Sequence, residues 1–235
     1  MKHYVITGAA SGIGQAVAAR LHERGDALCL VARSPERAEQ LTGLHPSART
    51  VVADLARPES LADAIAGAGL PERIDGLLHV AGALHLGTVG ELSPEAWRAS
   101  MAVNLTSPAE LTRLLLPRLR HPAGHVLFVN STSGLKTQRH WAAYSAAKYG
   151  LRALADALRD EEGGNGLRVT TVYPGRTATP MQALVHAHEE RAYDPALWID
   201  PATVAGTVLA ALDLPADAEL SDITVRVGPR PLARP

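Results

Sequence analysis

The stretch from Ser131 to Lys148, STSGLKTQRHWAAYSAAK, sets a serine thirteen residues before a tyrosine and a lysine four residues after it. On a helix, positions i and i+4 share a face, so Tyr144 and Lys148 project into one site. A free phenol ionises at pH ~10 and handles protons poorly at neutrality. A neighbouring ammonium favours the phenolate and draws that pKa toward the working range. A serine hydroxyl arriving from a neighbouring loop, that of Ser131, would hold a substrate oxygen beside the phenol. Such a trio can put a proton on a carbonyl or alcohol oxygen, or take one from it.

Tyr-x-x-x-Lys is a short pattern, and an exposed lysine near a half-buried tyrosine is its ordinary alternative. The other end of the chain narrows the choice. It opens KHYVITGAASGIG, where Tyr4, Val5 and Ile6 read as a buried strand. Gly8, Gly12 and Gly14 follow, then the helical pattern of Ala16, Val17 and Leu21. Strand, glycine-rich turn and helix form the setting of a dinucleotide-binding turn. Gly8 permits a tight turn, Gly12 lets the backbone approach a pyrophosphate, and Gly14 lets helix and strand pack closely. Phosphates would then sit at the helix N-terminus, where free N–H groups and the helix dipole favour negative charge. The spacing is Gly-x-x-x-Gly-x-Gly rather than the commoner Gly-x-Gly-x-x-Gly. A turn that merely connects strand to helix is the competing reading.

These groups need a scaffold, and the pattern predicts one. Strands and helices alternate, which implies a mostly parallel seven-stranded sheet covered by helices on both faces, an α/β doubly wound domain. Strands are predicted near 3–7, 27–32, 49–53, 74–80, 124–130, 167–173 and 222–227. Helices are predicted near 12–24, 35–42, 58–67, 94–119, 141–162 and 201–212. Gly163-Gly164-Asn165-Gly166 is a helix stop. No linker divides the 235 residues, a size that suits one domain spanning 1–235. The segment 179–199 breaks the rhythm and reads either as a lid over the site or as a plain surface helix.

Composition removes other classes. Lys and Arg number 23 against 24 Asp and Glu, which argues against a nucleic-acid or acidic-lipid surface. The lone cysteine, Cys29, can form no internal disulfide, and a cytoplasmic location is expected. No leader or membrane-length apolar stretch is evident. The ten histidines show no metal-ligand framework, so no metal is expected.

TGAASGIG, Asn104, Ser131, the Tyr144/Lys148 pair and the Pro174-Gly175 turn occur in the order and spacing of the short-chain dehydrogenase/reductase family, which the chain resembles from Val5 to about Val227. The resemblance implies a Rossmann-like fold and hydride exchange between a nicotinamide cofactor and a small carbonyl or alcohol, with carbonyl reduction the favoured direction. It implies that Tyr144 transfers the proton, Lys148 lowers its pKa and contacts the nicotinamide ribose, and Ser131 polarises the substrate oxygen. Asn104 matches the asparagine that kinks its helix and holds a water behind the lysine. Ser11 and Ile13 belong to the cofactor turn, Ala81 and Gly82 to the backbone beside the cofactor, and Asp54 and Leu55 to the adenine end. Pro174, Gly175, Thr177 and Thr179 match the turn near the carboxamide, although Thr177 replaces a more usual aliphatic residue. His79 stands where the family has asparagine and is expected to be structural.

The resemblance also bears on the choice of cofactor. An acidic residue ending the second strand selects NAD by accepting from the ribose 2′-hydroxyl. Here Ala32 occupies that place and Arg33 follows. Arginine suits a 2′-phosphate, with Ser34 able to add a hydroxyl contact, so NADP(H) is expected over NAD(H). Glu36 reaching back to the ribose, or Arg33 as a surface charge, would leave an NAD-linked enzyme. A cofactor-sensing regulator without turnover is a further alternative. Leu84, His85, Leu86 and the 179–199 segment are expected to line the substrate pocket. Leu111, Leu114, Leu115, Leu151, Leu154 and Leu158 put apolar residues on more than one helix face. This points to a homodimer or dimer-based homotetramer, unless all six face their own sheet.

Overall fold

The computed structural model describes residues 1–121 and 124–229. Seven parallel strands form one sheet in the order β3-β2-β1-β4-β5-β6-β7. They are β1 (His3–Thr7), β2 (Ala27–Ala32), β3 (Arg49–Val52), β4 (Gly76–His79), β5 (His125–Val129), β6 (Arg168–Pro174) and β7 (Asp222–Val225). Each central strand is apolar on both sides because helices cover both faces of the sheet. Tyr4 and Ile6 of β1, Leu78 of β4 and Leu127 of β5 pack in one layer with Val17, Leu21, Val204 and Val208. Val5, Leu77, Val126 and Phe128 pack in the other with Leu61, Leu111, Leu115 and Leu151.

The helices are α1 (Gly12–Glu23), α2 (Pro35–Leu44), α3 (Leu61–Ala66), α4 (Pro94–Met101), α5 (Ser107–Leu119), α6 (Ala142–Glu162), α7 (Pro180–His188) and α8 (Pro201–Leu212). The single helix predicted over 94–119 is α4 and α5 joined by a π-turn at Ala102–Thr106. The Asn104 side chain completes that turn. Its Nδ2 donates to the Ser100 carbonyl at 2.9 Å, at the end of α4. The strand order reverses between β1 and β4, and the carboxyl ends of those strands open the crevice where doubly wound folds bind ligands.

The segment 179–199 contains helix α7, with Pro180 at its first position and the Thr179 hydroxyl accepting from Gln182 N–H. Its return is pinned by Ala178 N–H to Ile199 O at 2.8 Å and Ile199 N–H to Arg176 O at 3.1 Å. The leucines of α5 and α6 are divided between full and partial burial. Leu111, Leu115, Leu151 and Leu158 are buried against their own sheet, and Leu114 and Leu154 pack on the same cluster. Among the described residues no helix is long and apolar enough to cross a membrane.

Candidate active site

The glycine turn is shaped by contact. Gly8 has φ +77°, and a Cβ there would stand 2.6 Å from Ala81 N. A Cβ on Gly14 would stand 2.1 Å from Gly8 O, so no side chain fits at either place. Ser34, Ser93, Thr179 and Asp200 each cap the helix that follows, whereas Ser11 at the start of α1 makes no side-chain cap. The first N–H groups of α1 are thereby left for a ligand.

Three adjoining clefts run along the carboxyl ends of the strands. The middle one is lined by Gly8, Ser11, Gly12, Ile13, Gly14, Ala81, Gly82, Tyr144, Lys148 and Thr179, with Asn130 and Met181. Ser131, Pro174, Gly175 and Thr177 line the second, which shares Ile13, Tyr144 and Thr179 with the first and adds Trp141, Gln182 and Val185. Arg33, Asp54 and Leu55 line the third, together with Arg37. Arg37 was not foreseen from the sequence. It stands in the first turn of α2, a few residues beyond Arg33, which follows the end of β2.

Three groups stand outside the cleft lining. Ser34 is committed to capping α2, its Oγ accepting from Arg37 N–H at 3.4 Å, and it does not line the cleft. Leu84, His85 and Leu86 line none of the three clefts. Glu36 is likewise occupied: hydrogen bonds from the Ser34 hydroxyl and from its own N–H hold its carboxyl below the usual range. Asp54 faces the cleft while accepting from Ala56 N–H at 2.9 Å, so it is both a strand-end cap and a lining group.

Tyr144 and Lys148 are almost wholly buried. The Lys148 ammonium lies 5.7 Å from the Tyr144 ring centroid and donates to Val129 O at 3.1 Å. Trp141 meets the tyrosine ring edge-on, with centroids 5.7 Å apart. Burial pushes the Tyr144 phenol up to about 12, with the Ser131 hydroxyl drawing it part of the way back. Burial also brings Lys148 down to about 8. In the protein alone desolvation dominates the phenol, and the expected depression by the ammonium does not appear among its causes. Ser131 Oγ accepts from Ser133 N–H at 3.0 Å, which leaves its own proton to donate toward a substrate oxygen.

Asn104 is buried behind the cleft rather than on its wall. Its Nδ2 also donates to Ala83 O at 2.8 Å, and its Oδ1 accepts from Ala83 N–H at 3.2 Å. This fixes the backbone after Gly82. His79 stacks on Phe128, centroids 5.0 Å apart, with Nε2 3.0 Å from Thr112 Oγ1. Burial brings its pKa down to about 3, so the ring is neutral at pH 7. A hollow of about 680 Å³ at the opposite end of the sheet, around Cys29 and Arg49, contains none of these groups.

The three clefts together form a trough along the carboxyl ends of the strands, the place where doubly wound folds bind ligands. The family model of short chain dehydrogenases matches residues 2–190, and the chain belongs to that family. An uncharacterized oxidoreductase of Staphylococcus epidermidis is 28% identical over 225 residues, covering 94% of this chain and 95% of that one. An actinorhodin polyketide ketoreductase, solved with NADPH, superposes with a TM-score of 0.85 at 27% identity, over 97% of this chain and 96% of that one. A 4-hydroxyisoleucine dehydrogenase complexed with NADH has the same fold, with a TM-score of 0.81 at 24% identity over 97% and 98% of the two chains.

Proposed function

We propose that the protein transfers a hydride between NADP(H) and the carbonyl or alcohol carbon of a small molecule, working chiefly as a carbonyl reductase. The observation that carries this reading is the shared wall of two clefts. Tyr144 faces both the glycine turn and the pocket that holds Ser131. When bound, the nicotinamide supplies the hydride. Ser131 donates to the carbonyl oxygen and fixes it, and Tyr144 delivers the proton that this oxygen needs as it becomes an alcohol. Lys148, charged below about 8, holds positive charge beside the phenol and the cofactor ribose. Asn104 supports the Ala83 backbone at the edge of the trough.

NADP(H) is favoured because β2 ends in Ala32 without a carboxylate, while Arg33 and Arg37 line the cleft beyond it. Two guanidinium groups suit a 2′-phosphate, which a carboxylate would repel. A homodimer or dimer-based homotetramer rests on the family resemblance and on the apolar residues of α5 and α6, of which Leu114 and Leu154 are only partly buried in the single chain. A cytoplasmic location rests on the single buried thiol.

The test is oxidation of NADPH, followed by absorbance, against a panel of neutral aldehydes and ketones, with cofactor binding measured in parallel. Turnover of at least one carbonyl compound is expected. Tight NADPH binding with no turnover across the panel would favour the cofactor-sensing regulator instead.

A further inference from the structure

We propose that Asn130 is a positioning residue that locks the serine of the site to the helix carrying Tyr144 and Lys148. The apolar run of β5 ends at Val129, and the next side chain is a buried amide. Its Oδ1 accepts from Ser131 N–H at 2.8 Å, and its Nδ2 donates to the main-chain oxygen of Lys148 at 3.0 Å. Its own N–H donates to Val172 O at 2.8 Å. One residue thus joins the end of β5, the neighbouring β6 and the second turn of α6.

A buried amide is costly unless its groups are paired, and this one is paired at both ends. The pairing holds Ser131 in extended backbone, φ −164° and ψ 154°, with its Oγ turned to Ser133 N–H. Gly134 is shaped to the same bridge, because a Cβ there would lie 2.5 Å from Asn130 Oδ1 and 2.9 Å from Lys148 O. Ser131 sits on a loop and Tyr144 on a helix, and no covalent constraint sets their separation. Asn130 is the direct tie between the serine's own backbone and that helix. It lines both the middle and the second cleft, so it stands at the junction it controls.

The proposal rests on the Ser131–Tyr144 assignment, and the experiment separates the two. Asn130→Ala should lower kcat/KM by about 10- to 100-fold through misplacement of the serine, with the loss in kcat. NADPH affinity should stay near the wild-type value. In a Ser131→Ala background the same change should cost less than about twofold, because the group it positions is already gone. Asn130→Asp, which keeps the acceptor for Ser131 N–H, should recover part of the activity. Where the alanine variant does not fold, Asn130→Ser takes its place in the same cycle. A loss that multiplies in full on Ser131→Ala, or a loss of NADPH binding, would reduce Asn130 to general support of the fold. Activity within about twofold of wild type would reject the role as well. If Ser131→Ala and Tyr144→Phe also keep full activity, the site assignment itself fails.

Discussion

Tyr144→Phe is expected to lower kcat/KM by about 10²–10⁴-fold, the usual contribution of one proton-transfer group, while leaving NADPH affinity nearly unchanged. The split follows from position. The phenol is buried where the glycine-turn cleft meets the Ser131 pocket, and phenylalanine keeps the ring that packs against Trp141. Only the acidic proton is lost. Because burial holds the phenol at about 12, it is protonated throughout the neutral range and ready to donate in reduction. Steady-state kinetics with the best carbonyl from the panel, together with a fluorescence titration of NADPH, give both numbers. A variant that retains most of the wild-type turnover would remove Tyr144 from the chemistry.

The second large effect concerns the cofactor. Arg33→Ala should weaken NADPH binding by about 10- to 100-fold and leave NADH nearly untouched, since a charge-assisted contact is worth roughly 1.5–3 kcal/mol. Ala32→Asp should go further and reverse the preference, because the new carboxylate repels a phosphate and accepts from a free hydroxyl. Arg37 lines the same cleft, so the double variant Arg33→Ala/Arg37→Ala should lose more than Arg33→Ala alone. These effects should shrink in high salt, which screens exposed charges. The measurement is the ratio of kcat/KM for the two cofactors. A wild type that already prefers NADH, or a ratio indifferent to both arginines, would sink the NADP assignment and leave the hydride chemistry standing.

The architecture was legible because it rests on strong local signals. Apolar strand cores, the glycine turn and the Gly163–Gly166 stop place the strands to within about two residues. Helix α7 was harder to see, because its buried side includes Gln182 and His186 and so lacks an apolar stripe. Those two side chains satisfy each other, with Gln182 Nε2 and His186 Nδ1 3.1 Å apart. The π-turn was foreshadowed only by the resemblance, which expected Asn104 to kink its helix; the pairing of its side chain with the distant Ala83 backbone is visible only in the fold. Periodicity marks two apolar faces on α5 and α6 without saying what covers them, and only tertiary packing shows Leu114 and Leu154 partly buried on the same cluster. Asn130 was passed over for a similar reason. An asparagine at a strand end reads as a turn former, and only the tertiary pairing with Lys148 O shows otherwise.

Lys148 also sets a tension between activity and folding. An ammonium held in a buried site, its pKa brought down to about 8, opposes the folded state at any pH where it is charged. The unfolded chain releases this proton only at pH ~10.4, so between about 8 and ~10.4 it holds more protons than the folded one. Through this residue, stability is therefore lowest below about pH 8 and rises toward pH ~10, by an amount on the order of 3 kcal/mol. Lys148→Met removes the penalty along with the chemistry. The inactive variant should melt at a higher temperature than the wild type at pH 7, and the gap should close as the pH approaches ~10. A gap that does not change with pH would mean that the lysine is solvated rather than strained. If the gap closes as expected, the protein carries at its centre a built-in instability, one that its working site requires.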